Sequence, residues 1–465
     1  MRNRGLPMHR IHRRAVKPGR KRSLPRLAAY VALSLGAIVL AVAVLVFVFG
    51  GAILNRYGKR KAERAFGQAH PGFVLRIGEL AYSVGANRLV AQSVTLSAED
   101  ATLKVDRISV TGVRWVRLLW GTAGLDEVLA NASLEVTNLD GEFPQAHYGM
   151  RCTRLRASVP GSELIAQGAE LRTLVGDEAF FAAHDFRTTR FRLFLPECRV
   201  SGLAYGGLLE GKSYRARSVS FSRPSFDALV NRDKPVEPSG KPPLLVHEAL
   251  AAIPRPLLVD RLSITNGHLT YRERVLAGAD PGVVTIGAVS MSVEGIANRG
   301  ETSPAIVIRA QGDLMNAGTM KVLMSIPITP PDFSFHYSGS LGAMDLTRLD
   351  AFLENAEHTR IKSGSVKEVA FEIDVTAGQA RGQVRAIYEN FEIAVRDKQT
   401  GSEKGLDSRV ASFLANELKF RNSNAPDASG AMKEGKVDYT RRPEDTFLQF
   451  VWYALRSGAL DAVSQ

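Results

Sequence analysis

The sequence predicts a mainly β, elongated antiparallel sheet in two halves, with few short helices and one N-terminal transmembrane helix. Three observations carry this. Apolar and polar residues alternate in short runs along most of the chain. Helical patterns are confined to a few segments. A single long uncharged stretch, Leu27–Leu54, stands near the start.

The uncharged stretch holds 28 residues, including a run of Ala, Val, Leu, Ile and Phe. About 20 apolar residues in a helix span the hydrocarbon core of a bilayer. The competing reading, a cleaved signal peptide, has an apolar region of about 7–15 residues and a small-residue cleavage site. This stretch is longer and no clear site follows it, so an anchor is expected. Charge sets the direction. Ten of the 60 Lys and Arg precede residue 27 with no acid among them, leaving 50 cations against 47 acids in the rest of the chain. The weaker basic flank after the span holds Arg56, Lys59, Arg60, Lys61 and Arg64 beside Glu63. The positive-inside rule keeps residues 1–26 in the cytoplasm as a basic tail and puts the body across the membrane. The body is nearly neutral, which argues against nucleic acid as a partner.

Residues 55–225 form the first β-rich region. Val105, Ile108 and Val110 belong to one patterned run, and Val219 and Phe221 alternate with serines. Seven of the 21 prolines fall between Pro224 and Pro256. Proline cannot donate to a ladder and stiffens extended chain, so 226–256 reads as a linker with a short helix at Leu244–Ile253. The second β-rich region, 257–440, contains Leu262 and Ile264 followed by Leu269 and Tyr271, with Thr265-Asn266-Gly267 read as a turn between two short strands. Val289, Met291 and Val293 alternate next, then Phe333, Phe335 and Tyr337, then Val369, Phe371, Ile373 and Val375, and lastly Phe391, Ile393 and Val395. Period two puts each set on one strand face. Val94 and Leu96, then Leu103 and Val105, echo the Leu262–Tyr271 unit, and Cys198-Arg199-Val200 echoes it more faintly. Repetition of such short units suits an elongated sheet. Besides the short helix at Leu244–Ile253, helical spacing appears at Asp345–Asn355, Leu406–Leu418 and Pro443–Val463. The last belongs to an amphipathic C-terminal segment, 441–465, rich in aromatics. It is too short to span a bilayer and reads either as a helix capping a sheet end or as a contact with membrane or partner.

Little in the sequence points to catalysis. Gly206–Ser213 satisfies G-x-x-x-x-G-K-S, but a phosphate-binding loop must open a helix, and Tyr214–Phe221 alternates like a strand. A turn without nucleotide is expected there. The nine histidines are scattered, and no paired-Cys or H-E-x-x-H arrangement appears, so no metal, cofactor or enzymatic activity is expected. Cys152 and Cys198 are the two cysteines. They form one disulfide across the membrane or remain separate buried thiols, since geometry decides between the two.

The basic start, single anchor and immediate entry into β-repeats at Phe73–Trp115 resemble the AsmA-like envelope proteins of bacteria. So do Gly339-Ser340-Leu341-Gly342 with Asp345-Leu346-Thr347-Arg348-Leu349, leading into Ile361–Val366, and Arg441-Arg442-Pro443 before the aromatic terminal helix. The resemblance implies an inner-membrane anchor, a periplasmic sheet curled like a taco with an apolar inner groove, and a role in moving lipid between envelope membranes. Membrane lipids are then the expected partner, with envelope proteins as further candidates. The alternating set Val289, Met291, Val293, Phe333, Phe335, Val369, Phe371, Ile373 and Val375 is expected to line the groove. The alternative is a structural or assembly factor for envelope integrity, in which the same residues pack a closed core.

Overall fold

A computed structural model describes residues 60, 63–64, 66–68, 72–115, 117, 124–237, 243–298, 305–328, 333–357, 359–395 and 420–464. The expected anchor Leu27–Leu54 and the expected helix Leu406–Leu418 lie outside them. Among the described residues, no helix is long and apolar enough to cross a membrane.

Among the described residues, eighteen strands form one sheet. Nine precede the crossover: β1 (Val74–Ser83), β2 (Arg88–Ser97), β3 (Thr102–Thr111), β4 (Ser133–Phe143), β5 (Tyr148–Ser158), β6 (Glu163–Thr173), β7 (Thr189–Ser201), β8 (Tyr214–Ser222) and β9 (Ser225–Asn231). Nine follow: β10 (Leu257–Arg274), β11 (Gly282–Ala297), β12 (Ala305–Leu314), β13 (Gly318–Pro327), β14 (Phe335–Leu341), β15 (Met344–Asp345), β16 (Thr359–Thr376), β17 (Gln379–Val395) and β18 (Glu434–Thr440). From β1 to β7 each strand pairs antiparallel with the next. β7 then pairs along its length with both β8 and β9, which are two pieces of one strand broken at Arg223–Pro224. β10 runs parallel to both. Antiparallel order resumes from β11 to β18, with β14 and the short β15 end to end along β16.

The sheet is therefore mixed and continuous, where the sequence predicted an antiparallel sheet in two halves. A parallel neighbour needs a crossover, because the chain must return to the strand's starting end. The Pro-rich stretch is that return: Leu257 lies opposite Tyr214, at the start of β8. The expected linker 226–256 is too long at its N-terminal end. Phe226–Asn231 lie in β9, where Ala228, Leu229 and Val230 are buried on both faces. Its short helix runs from Val246 to Ala251.

A crease crosses the first eleven strands. In β2, Leu89 and Ala91 are buried and so are Val94 and Leu96. In β3, Leu103 and Val105 are buried and so are Ile108 and Val110. Strict alternation would put Ala91 and Val94 on opposite faces. The same skip separates Ile77 from Leu80, Val136 from Leu139 and Cys152 from Leu155, and all these side chains share one core. The skipped positions form a row across the sheet: Gly78, Ser93, Asp106, Asn138, Thr153, Gly168 and Pro196 face one another in turn without ladder pairing. The row continues through Arg223–Pro224, Asn266 and Ala288. Left-handed backbone reverses the pleat, with φ of 52° at Ser93, 51° at Asn138, 61° at Gly168, 52° at Arg223, 54° at Asn266 and 48° at Ala288. A bulge of this kind re-aims the side chains beyond it, so both arms of a strand face the same interior. Pro196 sits inside the sheet because its row demands no ladder amide. Asn138 Nδ2 donates to Asp106 Oδ2 at 2.8 Å along the row. The β12–β13 ladder is uninterrupted. Thr265-Asn266-Gly267, expected to be a hairpin turn, is thus the crease within the single long strand β10. Val94–Leu96 and Leu103–Val105 do form a hairpin, closed by Ala98 N donating to Ala101 O at 2.8 Å.

Among the described residues, the two largest cores lie toward the two ends of the sheet. The first gathers the inner residues of β1–β5 with Phe66, Val128 and Leu129. The second gathers those of β11–β18 with Phe450 and Ala454 of the terminal helix, Phe447–Val463. That helix opens with a capping box, in which Thr446 and Gln449 bond each other's backbone amides. An open sheet edge is an aggregation hazard. Here the β18 edge lies under the helix: Asp461 Oδ2 accepts from Lys436 N at 2.7 Å and Ser457 Oγ from Asp438 N at 3.3 Å. At β1, Glu63 Oε1 accepts from Ile77 N at 2.8 Å. The terminal segment therefore covers a sheet edge.

Candidate functional site: the half-covered inner face

Between the two cores, the inner face of the central strands is only partly covered. Register carries this face across the sheet. Leu164 and Ala166 of β6 oppose Val200 and Cys198 of β7, and beyond the crease Ala169 and Leu171 oppose Leu195 and Leu193. Cys198 and Val200 oppose Phe221 and Val219 of β8, and Leu193 opposes Phe226 of β9. Val219 and Phe221 oppose Leu262 and Ile264 of β10, which oppose Val293 and Met291 of β11. Leu193, Leu195, Val200, Val219, Phe221, Phe226, Leu262, Ile264 and Met291 are all half-buried. By contrast, Ile77 is 1% exposed in the first core and Ile373 0% in the second. Full burial of such a side chain is worth about 1.5–3 kcal/mol, so this strip keeps hydrophobic free energy in reserve. Phe191 and Phe226 stack at its lower side, with centroids 5.8 Å apart.

At one end of the strip the row Leu269–Tyr271–Glu273 of β10 runs into a buried ionic cluster. Arg232 Nη1 lies 2.7 Å from Glu273 Oε2 and 3.6 Å from Glu357 Oε1. Arg456, from the terminal helix, lies 3.5 Å from the same Glu357 oxygen and covers the Tyr453 ring at 4.9 Å. Tyr271 donates to Glu273 Oε1 at 2.5 Å. Burial, then the Glu273 charge, pushes the Tyr271 phenol far above its usual range. Burial also raises the Glu357 carboxyl, against the pull of Arg456 and Arg232. Glu357 Oε2 is buried without a partner. A second network ties the opposite face. The fully buried Arg190 meets Asp177 at 3.1 Å and Asp227 at 2.7 Å, and Arg272 meets Asp227 at 2.9 Å.

The residues expected to line a groove are brought together, but in the second core. Val293, Phe335, Phe371, Ile373 and Val375 are buried there, with Met291, Phe333 and Val369 packed against them. The terminal helix supplies the cover: Phe333–Phe450 centroids are 5.2 Å apart and Phe335–Phe447 5.4 Å, and Tyr337 donates to Val451 O at 3.1 Å. Val289 stands apart beside the crease, half-buried. The strip residues of β6–β10 were missed as a site, although Leu193-x-Leu195-x-x-Cys198-x-Val200 carries the crease signature in the sequence itself.

Cys152 and Cys198 are both free thiols. Burial, then neighbouring Cys152 and Glu197, pushes the Cys198 thiol up to about 11. Gly206–Ser213 opens no helix. Its glycines lie in and just after the short helix Tyr205–Leu209, Gly211 turns the chain at φ 63°, and β8 follows at Tyr214. Lys212 is exposed and pairs with Glu210 at 2.7 Å. A strand rather than a helix follows Lys212-Ser213, so the segment lacks the helix that a phosphate-binding loop opens. Among the described residues, no cluster of His, Cys, Asp and Glu could hold a metal ion. No protein-family model matches the chain, and no curated protein matches it.

Proposed function

We propose that this chain is a membrane-anchored β-protein that binds acyl chains along the half-covered inner face of β6–β11 and helps transfer lipid between membranes of a bacterial envelope. The observation that supports this reading is the apolar strip from Leu193 to Ile264, half-buried between the two largest cores. An apolar face left half-covered over this extent favours a further cover. Each buried methylene contributes about 0.8 kcal/mol, so about ten methylenes laid along the strip would supply ~8 kcal/mol before ordering costs. The anchor is the segment Leu27–Leu54, the body lies in the periplasm, and the resemblance to AsmA-like proteins agrees with this arrangement. No enzymatic step is part of the reading.

Photo-crosslinking in cells tests it. Probes at Leu195 and Phe221 should form lipid adducts, and probes at the outward Arg199 and Ser220 should not. Adducts at none of the four sites would leave the alternative, a structural or assembly factor. The packed second core beneath the terminal helix is the feature that favours that alternative.

A further inference from the structure

The ionic cluster lies on the same inner face as the apolar strip, where β10 passes from Leu269 to Tyr271 and Glu273. Its four charges come from separate parts of the chain: Arg232 after β9, Glu273 in β10, Glu357 after the helix Asp350–Ala356, and Arg456 in the terminal helix. Two cations balance two anions, so the cluster is neutral. A further anion placed there would be left uncompensated, which is costly in a buried setting. The atom without a partner is an acceptor, Glu357 Oε2, on a residue 4% exposed. Both guanidinium groups approach the other oxygen, Oε1. An orphaned buried carboxylate oxygen calls for a donor.

We infer that this cluster is a headgroup site for glycerophospholipids bearing a primary ammonium. The ammonium donates to Glu357 Oε2, the phosphate lies toward the Arg456 guanidinium, and the acyl chains run along the strip. Such a headgroup is a zwitterion and keeps the cluster neutral. Its three N–H donors fit an acceptor site, whereas a trimethylated ammonium has none to give. This inference rests on the reading of the strip as an acyl-chain surface.

The test uses the full chain, purified in detergent, stripped of lipid and incubated with vesicles. These contain equal amounts of phosphatidylethanolamine, its N-methyl and N,N-dimethyl forms, and phosphatidylcholine, all with the same acyl chains. Bound lipid is extracted and quantified. The expected result is enrichment falling stepwise with each methyl, about tenfold from the primary amine to choline, as loss of charge-assisted hydrogen bonds requires. Glu357→Gln should keep total bound lipid and bring that ratio close to one. If the variant fails to fold, the methylated series on the unaltered protein still decides. Lipid bound without headgroup order overturns this inference alone. No lipid bound at all overturns the reading of the strip and this inference with it.

Discussion

The contact between the terminal helix and β18 is tight enough to predict the effect of one methyl group. A Cβ at Gly435 would lie 1.9 Å from Gly458 O, 2.6 Å from Ala462 N and 2.8 Å from Ala462 Cβ. Two of the three obstacles are backbone, so no rotamer change relieves them. In Gly435→Ala the helix must move away by about 1.5 Å to restore an ordinary contact near 3.4 Å. Overpacking of this kind costs about 1–3 kcal/mol. Displacement also lengthens the bonds from Lys436 N to Asp461 and from Asp438 N to Ser457, at about 1 kcal/mol each. The sum is about 3–5 kcal/mol, and a sheet edge becomes available for strand addition. Urea denaturation should give a lower midpoint, and size exclusion should show self-association. Gly206→Ala is the control, since a Cβ there meets nothing within 4 Å. Equal midpoints for Gly435→Ala and Gly206→Ala would refute the argument that this contact seats the helix.

Other expectations follow from the crease, the thiols and the buried acid. Gly168→Ala should cost about 1–3 kcal/mol in denaturant titration, because its φ is 61° and its Cβ would meet Thr153 Oγ1 at 2.6 Å. Asn138→Gly, at φ 51°, should be tolerated within about 1 kcal/mol. Alkylation of non-reduced, denatured protein should modify both cysteines. In the folded Cys152→Ala variant, Cys198 alkylation should rise about tenfold per pH unit to a pH above that at which a free thiol levels off, because burial still raises this thiol and the thiolate is the reactive form. Glu357 has a raised folded pKa, so its contribution is full below the unfolded glutamate value and is lost as pH rises through the folded one. Stability of Glu357→Gln relative to the unaltered protein, measured by urea titration across that window, should therefore improve as pH rises. Lys212→Ala should change neither folding nor lipid binding, since the side chain is exposed beside Glu210.

Much of the secondary structure was written in local pattern. Val369–Val375, Val289–Val293 and Phe335–Tyr337 lie in strands β16, β11 and β14, because alternation over a few residues is enough to define a half-buried strand. The terminal helix Phe447–Val463 carried apolar spacing and a Thr446–Gln449 capping signal, both of which act within a turn or two. The unsuitability of Gly206–Ser213 for nucleotide was equally local, since the strand that follows it is visible in Tyr214–Phe221. Tertiary structure decided which apolar faces are filled and which stay open. Val375 at 3% exposed and Leu195, half-buried, look alike in sequence, and only the fold places the first in the second core. The parallel return of β10 beside β8 was likewise invisible, because nothing in Leu257–Thr265 encodes the direction of its neighbour. The crease had a local signature, two polar residues inserted into the alternation. Its meaning appears only when eleven strands align those insertions in one row, since a bulge turns a sheet only where its neighbours bulge with it.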